Sequence, residues 1–387
     1  NTAIGKDALT ALTSGAQNVA LGANALDANT TADRNTAIGT SSLGTNSTGA
    51  NNTSVGYAAL FNNTTASSNT AVGYQSLLAN TTGTQNTALG TNALDANTTA
   101  SNNTAIGYDS LGLNTTGTFN SAVGSEALRQ NTTGGSNTAV GLNALQQNTT
   151  ASNNTALGTS ALGANTTGAS NVAVGSLALD ANTTGADLTA VGSGALGANT
   201  TGSFNVGIGK EALRANTTAS SNTALGYNTM ASTITGSGNV GVGTLALGAN
   251  TTASNNTAVG NEALRVNTTG ANNVAVGALA LDANTTASNN TAVGYNSLGA
   301  NTTGDRNVAL GFEAMFTNSV GDRSVAVGFQ ALYSQNPASK EDLNNVAIGY
   351  SAGFAMTTGS GNVAIGEAAL DANTTADNNT AVGARSL

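Results

Sequence analysis

Glu341 and Asp342 are the only consecutive carboxylates in the chain, and so the first place to look for an acid–base pair. Hydrolysis by paired carboxylates needs the two groups to face each other across a substrate, roughly 5–10 Å apart. Two consecutive residues in one irregular loop point apart, and the pair reads as solvated loop. Residue types exclude most other chemistry. No histidine and no cysteine occur among 387 residues, so neither a histidine-based triad nor a thiol nucleophile can form, and zinc lacks its usual ligands. The glycine-rich nonapeptide that binds calcium in toxin-type β-rolls is also missing. The expectation is a protein that is not an enzyme and uses no cofactor or metal.

Surface recognition remains. Tyr57, Tyr74, Tyr108, Tyr227, Tyr295, Phe312, Phe329 and Tyr350 recur at one place in a repeat. Rings exposed in a row are suited to stack on sugars or engage a receptor, and equally to shield a sheet edge. Five stretches read Asp-Ala-Asn-Thr-Thr, at 27–31, 95–99, 180–184, 282–286 and 371–375. Asn-X-Thr is a glycosylation acceptor, which makes Asn29, Asn97, Asn182, Asn284 and Asn373 candidate modification sites. The same residues are also what a turn requires.

Both sets are positioned by one 17-residue unit, seen whole at Asn103–Phe119 and restarting at Asn120. There are 22 full units and a nine-residue stub, with one four-residue insertion between Ser324 and Asn345. A fixed short period is the signature of a solenoid or array. Numbered from its asparagine, the unit holds Thr or Val at position 2 (Ser121 excepted), Val, Ile or Leu at 4, and Gly at 5 in all 23 copies. Mostly β-branched residues at alternate places describe a strand over positions 1–5, and no helical spacing is sustained. A glycine without exceptions marks positive φ at a corner or a close backbone approach. Position 8 is small and 9 is Leu apart from Met230, Met315 and Gly353, which suggests a second short strand. Position 12 is mostly Asn, followed by Thr-Thr and then Gly or Ala. In such a turn, stacked identical Asn and Thr would form hydrogen-bonded ladders. Positions 6, 7, 10, 11, 16 and 17 vary, hold nearly all the charge and should face solvent.

The predicted architecture is all-β, a parallel β-solenoid of about 22 coils with a 17-residue repeat. It should form one repetitive domain over 1–387, on the order of 105 Å long at ~4.8 Å per coil. Position 3 is always small, Ala or else Ser54, Gly207 and Gly241. With positions 2, 4 and 9 taken as the core, position 3 faces outward, where any side chain should be tolerated. Its restriction implies either a neighbour packed against that face or a narrow, crowded coil. The first reading makes the chain a homotrimer about the rod axis, with Ala105, Ala139 and Ala173 in the contact. Within 335–344 lie the sole Pro and three consecutive charges; these extra residues are expected to bulge outward, with Phe354 filling the volume that Gly353 gives up.

Charged residues are only 7% and the net charge is −9, with ten basic residues spread thinly. No basic stripe exists to neutralise phosphates, so nucleic acid is not an expected partner. No apolar run approaches the roughly 20 residues of a membrane helix, and no membrane insertion is expected in this segment. Because the chain starts at Asn1 without a Met and stops mid-repeat at Leu387, it is expected to be a piece of a longer fibre.

The cores Asn-Val-Ala-Val-Gly at 171–175, Asn-Thr-Ala-Ile-Gly at 103–107 and Asn-Val-Ala-Ile-Gly at 362–366 resemble the head repeats of trimeric autotransporter adhesins. The longer unit Asn-Thr-Ala-Val-Gly-Tyr-Gln-Ser-Leu-Leu-Ala-Asn-Thr-Thr-Gly at 69–83 is more similar to repeats of bacteriophage tail-fibre and related bacterial surface fibre proteins. The resemblance implies a trimer of parallel β-rolls, an extracellular place on a virion or bacterial cell surface, and a structural fibre segment that supports adhesion or binding of a host-surface receptor or glycan. The unit is longer than the adhesin repeat, and these residues include no coiled-coil stalk, membrane anchor or self-cleaving chaperone domain. Two alternatives stand beside the fibre: the adhesive head of an autotransporter, and an ice-binding solenoid suggested by the ranks of Thr.

Overall fold

A computed structural model describes residues 1–387 and shows an all-β parallel solenoid with a 17-residue spacing and no helix. One three-residue strand occupies positions 2–4 of every repeat. The chain divides into two compact units, Asn1–Ser193 and Gly194–Leu387. The first holds β1 (Thr2–Ile4) through β12 (Thr189–Val191), and the second β13 (Val206–Ile208) through β23 (Thr380–Val382). Within each unit every strand pairs in parallel with the next at the same repeat position, as in Thr138↔Thr155, Ala139↔Ala156 and Val140↔Leu157. Even the four-residue insertion leaves this register intact, since Val325 pairs with Val346.

The strand ends where the glycine stands. Gly141 has φ +136, and a Cβ there would lie 2.6 Å from the carbonyl oxygen of Gly158 in the next coil. Both reasons for an invariant glycine therefore operate together.

The expected second strand is absent. Positions 6–11 form a turn in which positions 7 and 9 carry positive φ, as at Asn143 (57°) and Leu145 (51°). Left-handed leucine costs roughly 1 kcal/mol or more. What it gains is direction: Leu145 N–H reaches the next coil's Ala161 carbonyl, while Asn143 N–H reaches the previous coil's Ser125 carbonyl. Alternating the sign of φ keeps the backbone groups aimed at neighbouring coils, so inter-coil bonding continues without a strand.

The assignment of inside and outside is also corrected. Position 3 points into the coil: Ala139, Ala156 and Ala173 are fully buried. Positions 2 and 4 point out, with Leu21 44%, Leu89 46% and Leu157 47% exposed. The core consists of the small residues at 3 and 8, the leucine at 9 and two buried asparagines at 1 and 12; of the expected core positions 2, 4 and 9, only 9 lies inside. Crowding inside one chain explains the small residues. At Gly207 an added Cβ would already sit 3.3 Å from Leu196 Cγ. Ala105→Phe is therefore expected to destabilise the fold itself by about 3 kcal/mol. Thermal unfolding at a concentration where the chain is monomeric would check this, and an unchanged midpoint would contradict it.

Two buried asparagine ladders replace much of a hydrophobic core. At position 1, Asn137 Oδ1 accepts the backbone N–H of Asn154 (3.0 Å), and Asn137 Nδ2 donates to the Ala151 carbonyl (2.9 Å). At position 12, Asn148 Nδ2 donates to Asn131 Oδ1 (2.9 Å) and to the same Ala151 carbonyl (3.0 Å). The pattern recurs from coil to coil within each unit and accounts for asparagine where a solenoid would otherwise bury an apolar side chain. Ser324 continues the position-1 ladder, with its hydroxyl accepting from Asn345 N–H.

The insertion is not a simple outward bulge. Ala338–Asp342 are exposed, but Pro337 and Leu343 are buried, and a Cβ at Gly321 would meet both. Asp322 N–H donates to the Glu341 carbonyl and Leu343 N–H to the Asp322 carbonyl. Lys340 Nζ reaches back to Asp305 Oδ2 (2.6 Å) and the Thr303 carbonyl (2.7 Å), and Arg323 pairs with Asp342 (2.7 Å). The segment straps its own coil to the two before it. Deleting Pro337–Lys340 restores the 17-residue spacing, yet it is expected to lower stability by about 2 kcal/mol through lost burial and ion pairing. Chemical denaturation would test this; a gain would show that the strap is dispensable. Phe354 does not fill the place of Gly353 either. It stacks outside on Tyr333, while Leu332 and Met356 close in on Gly353.

Candidate interaction surface

The surface holds no pocket, and no three acidic side chains converge as metal ligands. Glu341 and Asp342 lie exposed on the strap, where Asp342 is occupied by Arg323. They do not face each other across a cleft.

The most regular surface is the outer face of the strands. In the first unit, twelve strands with two outward side chains each present 24 residues; in the second, eleven strands present 22. None of these residues is charged, since position 2 is Thr, Val or Ser and position 4 is Val, Ile or Leu. Parallel pairing at a fixed register sets them in two columns, one step per coil, roughly 4.8 Å apart. Thr fills position 2 in nine coils of the first unit, and Val fills it in seven of the eleven strands of the second. A continuous uncharged strip on this scale is unusual for an exposed surface. Sequence reading had placed these side chains in the core. The missed signal is that position 3 shows no volume larger than Ser, as an interior position must when the coil is narrow.

The aromatic residues form columns. Tyr57 stacks on Tyr74, and Tyr295, Phe312, Phe329 and Tyr350 form a continuous stack with centroids 5.4, 5.2 and 5.0 Å apart. Inside such a stack the ring faces cover one another, leaving edges to solvent, so stacking on a sugar is open only at the ends. Tyr108 and Tyr227 stand exposed without a ring partner. A second column at position 10, Phe316, Tyr333 and Phe354, was not anticipated from the sequence.

The candidate glycosylation sites sit in the position-12 ladder. Asn29, Asn97, Asn182 and Asn284 are fully buried, and each amide nitrogen donates to a carbonyl three residues on. A glycan on that nitrogen would displace the ladder bond and has no room inside the coil. Asn373, in the last full repeat, is half-exposed and bonds the Ala376 carbonyl.

Carboxylates along the turns respond to their partial burial. Desolvation pushes the carboxyls of Asp95, Asp180, Asp282 and Asp322 above their ordinary value of 3.8, and Asp109 adds to the effect at Asp95. A carboxyl with a raised folded pKa contributes most to stability below its unfolded value, and that contribution is lost as pH rises through the folded value. Acidification from neutrality toward about pH 4 is therefore expected to raise the unfolding temperature modestly. Melts across that range would check it, and a falling midpoint would contradict it. No protein-family model matches this chain, and a search of the curated proteins finds none similar to it.

Proposed function

We propose that this chain is a structural segment of an extracellular fibre, of the bacteriophage tail-fibre or cell-surface filament type, and that it works as a homotrimer packed through the outer faces of its strands. The observation that carries the reading is the charge-free, two-column strip on each unit. Its 24 and 22 outward residues reach the roughly 20–30 per side that stable interfaces use. A second copy has the matching coil spacing by construction, so its columns stay in step with the first copy's from coil to coil; an unrelated surface matches at one or two coils only. Closed cyclic association keeps equivalent coils level with one another, and three is the number that the sequence resemblance implies. Trimerisation thus uses positions 2 and 4, not the buried alanines. The function is mechanical: to hold a binding tip away from a virion or cell surface, with receptor or glycan contact along the sides as a secondary role.

Sedimentation equilibrium of the full chain tests this. The expected species has three times the 37.5 kDa chain mass, and a monomer at all concentrations would overturn the reading. One observation favours the ice-binding alternative instead. The outward Thr at position 2 stand on parallel strands paired in register, whereas the Thr at 13 and 14 lie outside the strands. A monomer whose freezing point is depressed below its melting point would select that function for the same face.

A further inference from the structure

We propose that the three coils beginning at Asn307, Ser324 and Asn345 anchor the association between copies; this rests on the trimer reading above. Three separate features coincide there. First, Val308, Val325 and Val346 at position 2 stand beside Leu310, Val327 and Ile348 at position 4, so both columns are apolar over consecutive coils, where nine of the twelve coils of the first unit set Thr at position 2. Second, each of these strands is followed two residues later by a ring of the exposed stack, Phe312, Phe329 and Tyr350. The same coils carry the second ring column as well. Third, the segment 335–344 fastens the coil beginning at Ser324 to its neighbours on both sides. It holds the coil before it through Arg323 to Asp342 and through Pro337 and Leu343 closing over Gly321. It holds the coil after it through Asn345 Nδ2 donating to Gln335 Oε1 and Asn336 N–H donating to the Thr357 carbonyl, while Lys340 reaches one coil further back to Asp305.

Interface energy concentrates in a few apolar and aromatic anchors held in place before contact, with surrounding residues contributing complementarity. Coils already fastened to one another lose little freedom on association, which leaves more of the burial to appear as affinity. The strap and the two ring columns coincide only here. The remaining coils match the partner's spacing and exclude water, but most of them place a hydroxyl at position 2.

The test uses the full chain with Val308→Thr, Val325→Thr and Val346→Thr combined. Thr is the natural residue at position 2 in 13 repeats, so the coils should fold unchanged, and the melt of the dissociated chain checks this. The control carries Val172→Thr, Val206→Thr and Val240→Thr, the same chemistry away from the anchor. Burying three hydroxyls per copy is expected to raise the dissociation constant at least about a hundredfold in the first variant, against less than about tenfold in the control. Equal weakening by the two sets would overturn the anchor while leaving the trimer intact. A wild-type chain that is monomeric at every concentration would overturn the association and this inference with it.

Discussion

Gly141→Ala is expected to unfold its coil and cost about 3 kcal/mol or more. Two penalties add. The backbone at φ +136 is one that alanine scarcely adopts, and the new Cβ would lie 2.6 Å from the Gly158 carbonyl oxygen and 2.7 Å from its carbon, backbone atoms that the next coil holds in place. Relief requires separating two coils, which breaks the bond from Gly158 N–H to the Val140 carbonyl. Gly163→Ala is the control. Its φ is not positive, the nearest heavy atom would be 3.3 Å away, and the change should be neutral or slightly stabilising through the unfolded chain. Thermal unfolding of both variants, with amide exchange locating the defect, would decide the matter. Equal midpoints would mean that neither the corner nor the close approach constrains the fold.

Asn137→Asp is expected to destabilise the fold by about 3 kcal/mol at neutral pH and to recover much of that loss on acidification. Asn137 uses both ends of its amide. Oδ1 accepts from Asn154 N–H, while Nδ2 donates to the Ala151 carbonyl and toward Asn120 Oδ1. An ionised carboxylate retains the acceptor but turns an oxygen lone pair toward the Ala151 carbonyl, in a site closed to water. Protonation restores one donor at that place. A buried carboxyl without a cation has its pKa raised, so the variant's deficit should shrink as pH falls through that value. Asn137→Ala separates geometry from charge: it leaves Asn154 N–H without its acceptor at every pH, and its deficit should not track pH. If the two variants show the same pH dependence, the ladder's donor–acceptor order is not what stabilises this position.

Much of the fold was legible before any coordinates. The 17-residue period specifies stacking because identical residues one period apart must fall on the same place in successive coils, and the pairing of Thr138 with Thr155 follows directly. The unbroken glycine at position 5 announced a conformation closed to other residues. Asparagine repeated at position 12 announced a ladder, since an amide can donate to the coil on one side and accept from the other; the second ladder, at position 1, emerged only from the structure.

What the sequence could not decide was which side of a three-residue strand is the inside. Thr-Ala-Val alternates, but alanine and valine are both apolar, and alternation carries no sign. Only closing the coil shows that its interior has room for a methyl group and one leucine, so the larger side chains are the ones turned out. The interaction surface was therefore hidden in residues that read as core. The left-handed leucines were equally hidden, because leucine has no local preference for positive φ, and the need to aim Leu145 N–H at the next coil exists only once coils are stacked. The strap was misread for the same reason. Proline and charge are poor strand residues locally, but Pro337 packs near Gly321 and Lys340 reaches Asp305, partners that lie one and two coils away and become neighbours only through the winding of the chain.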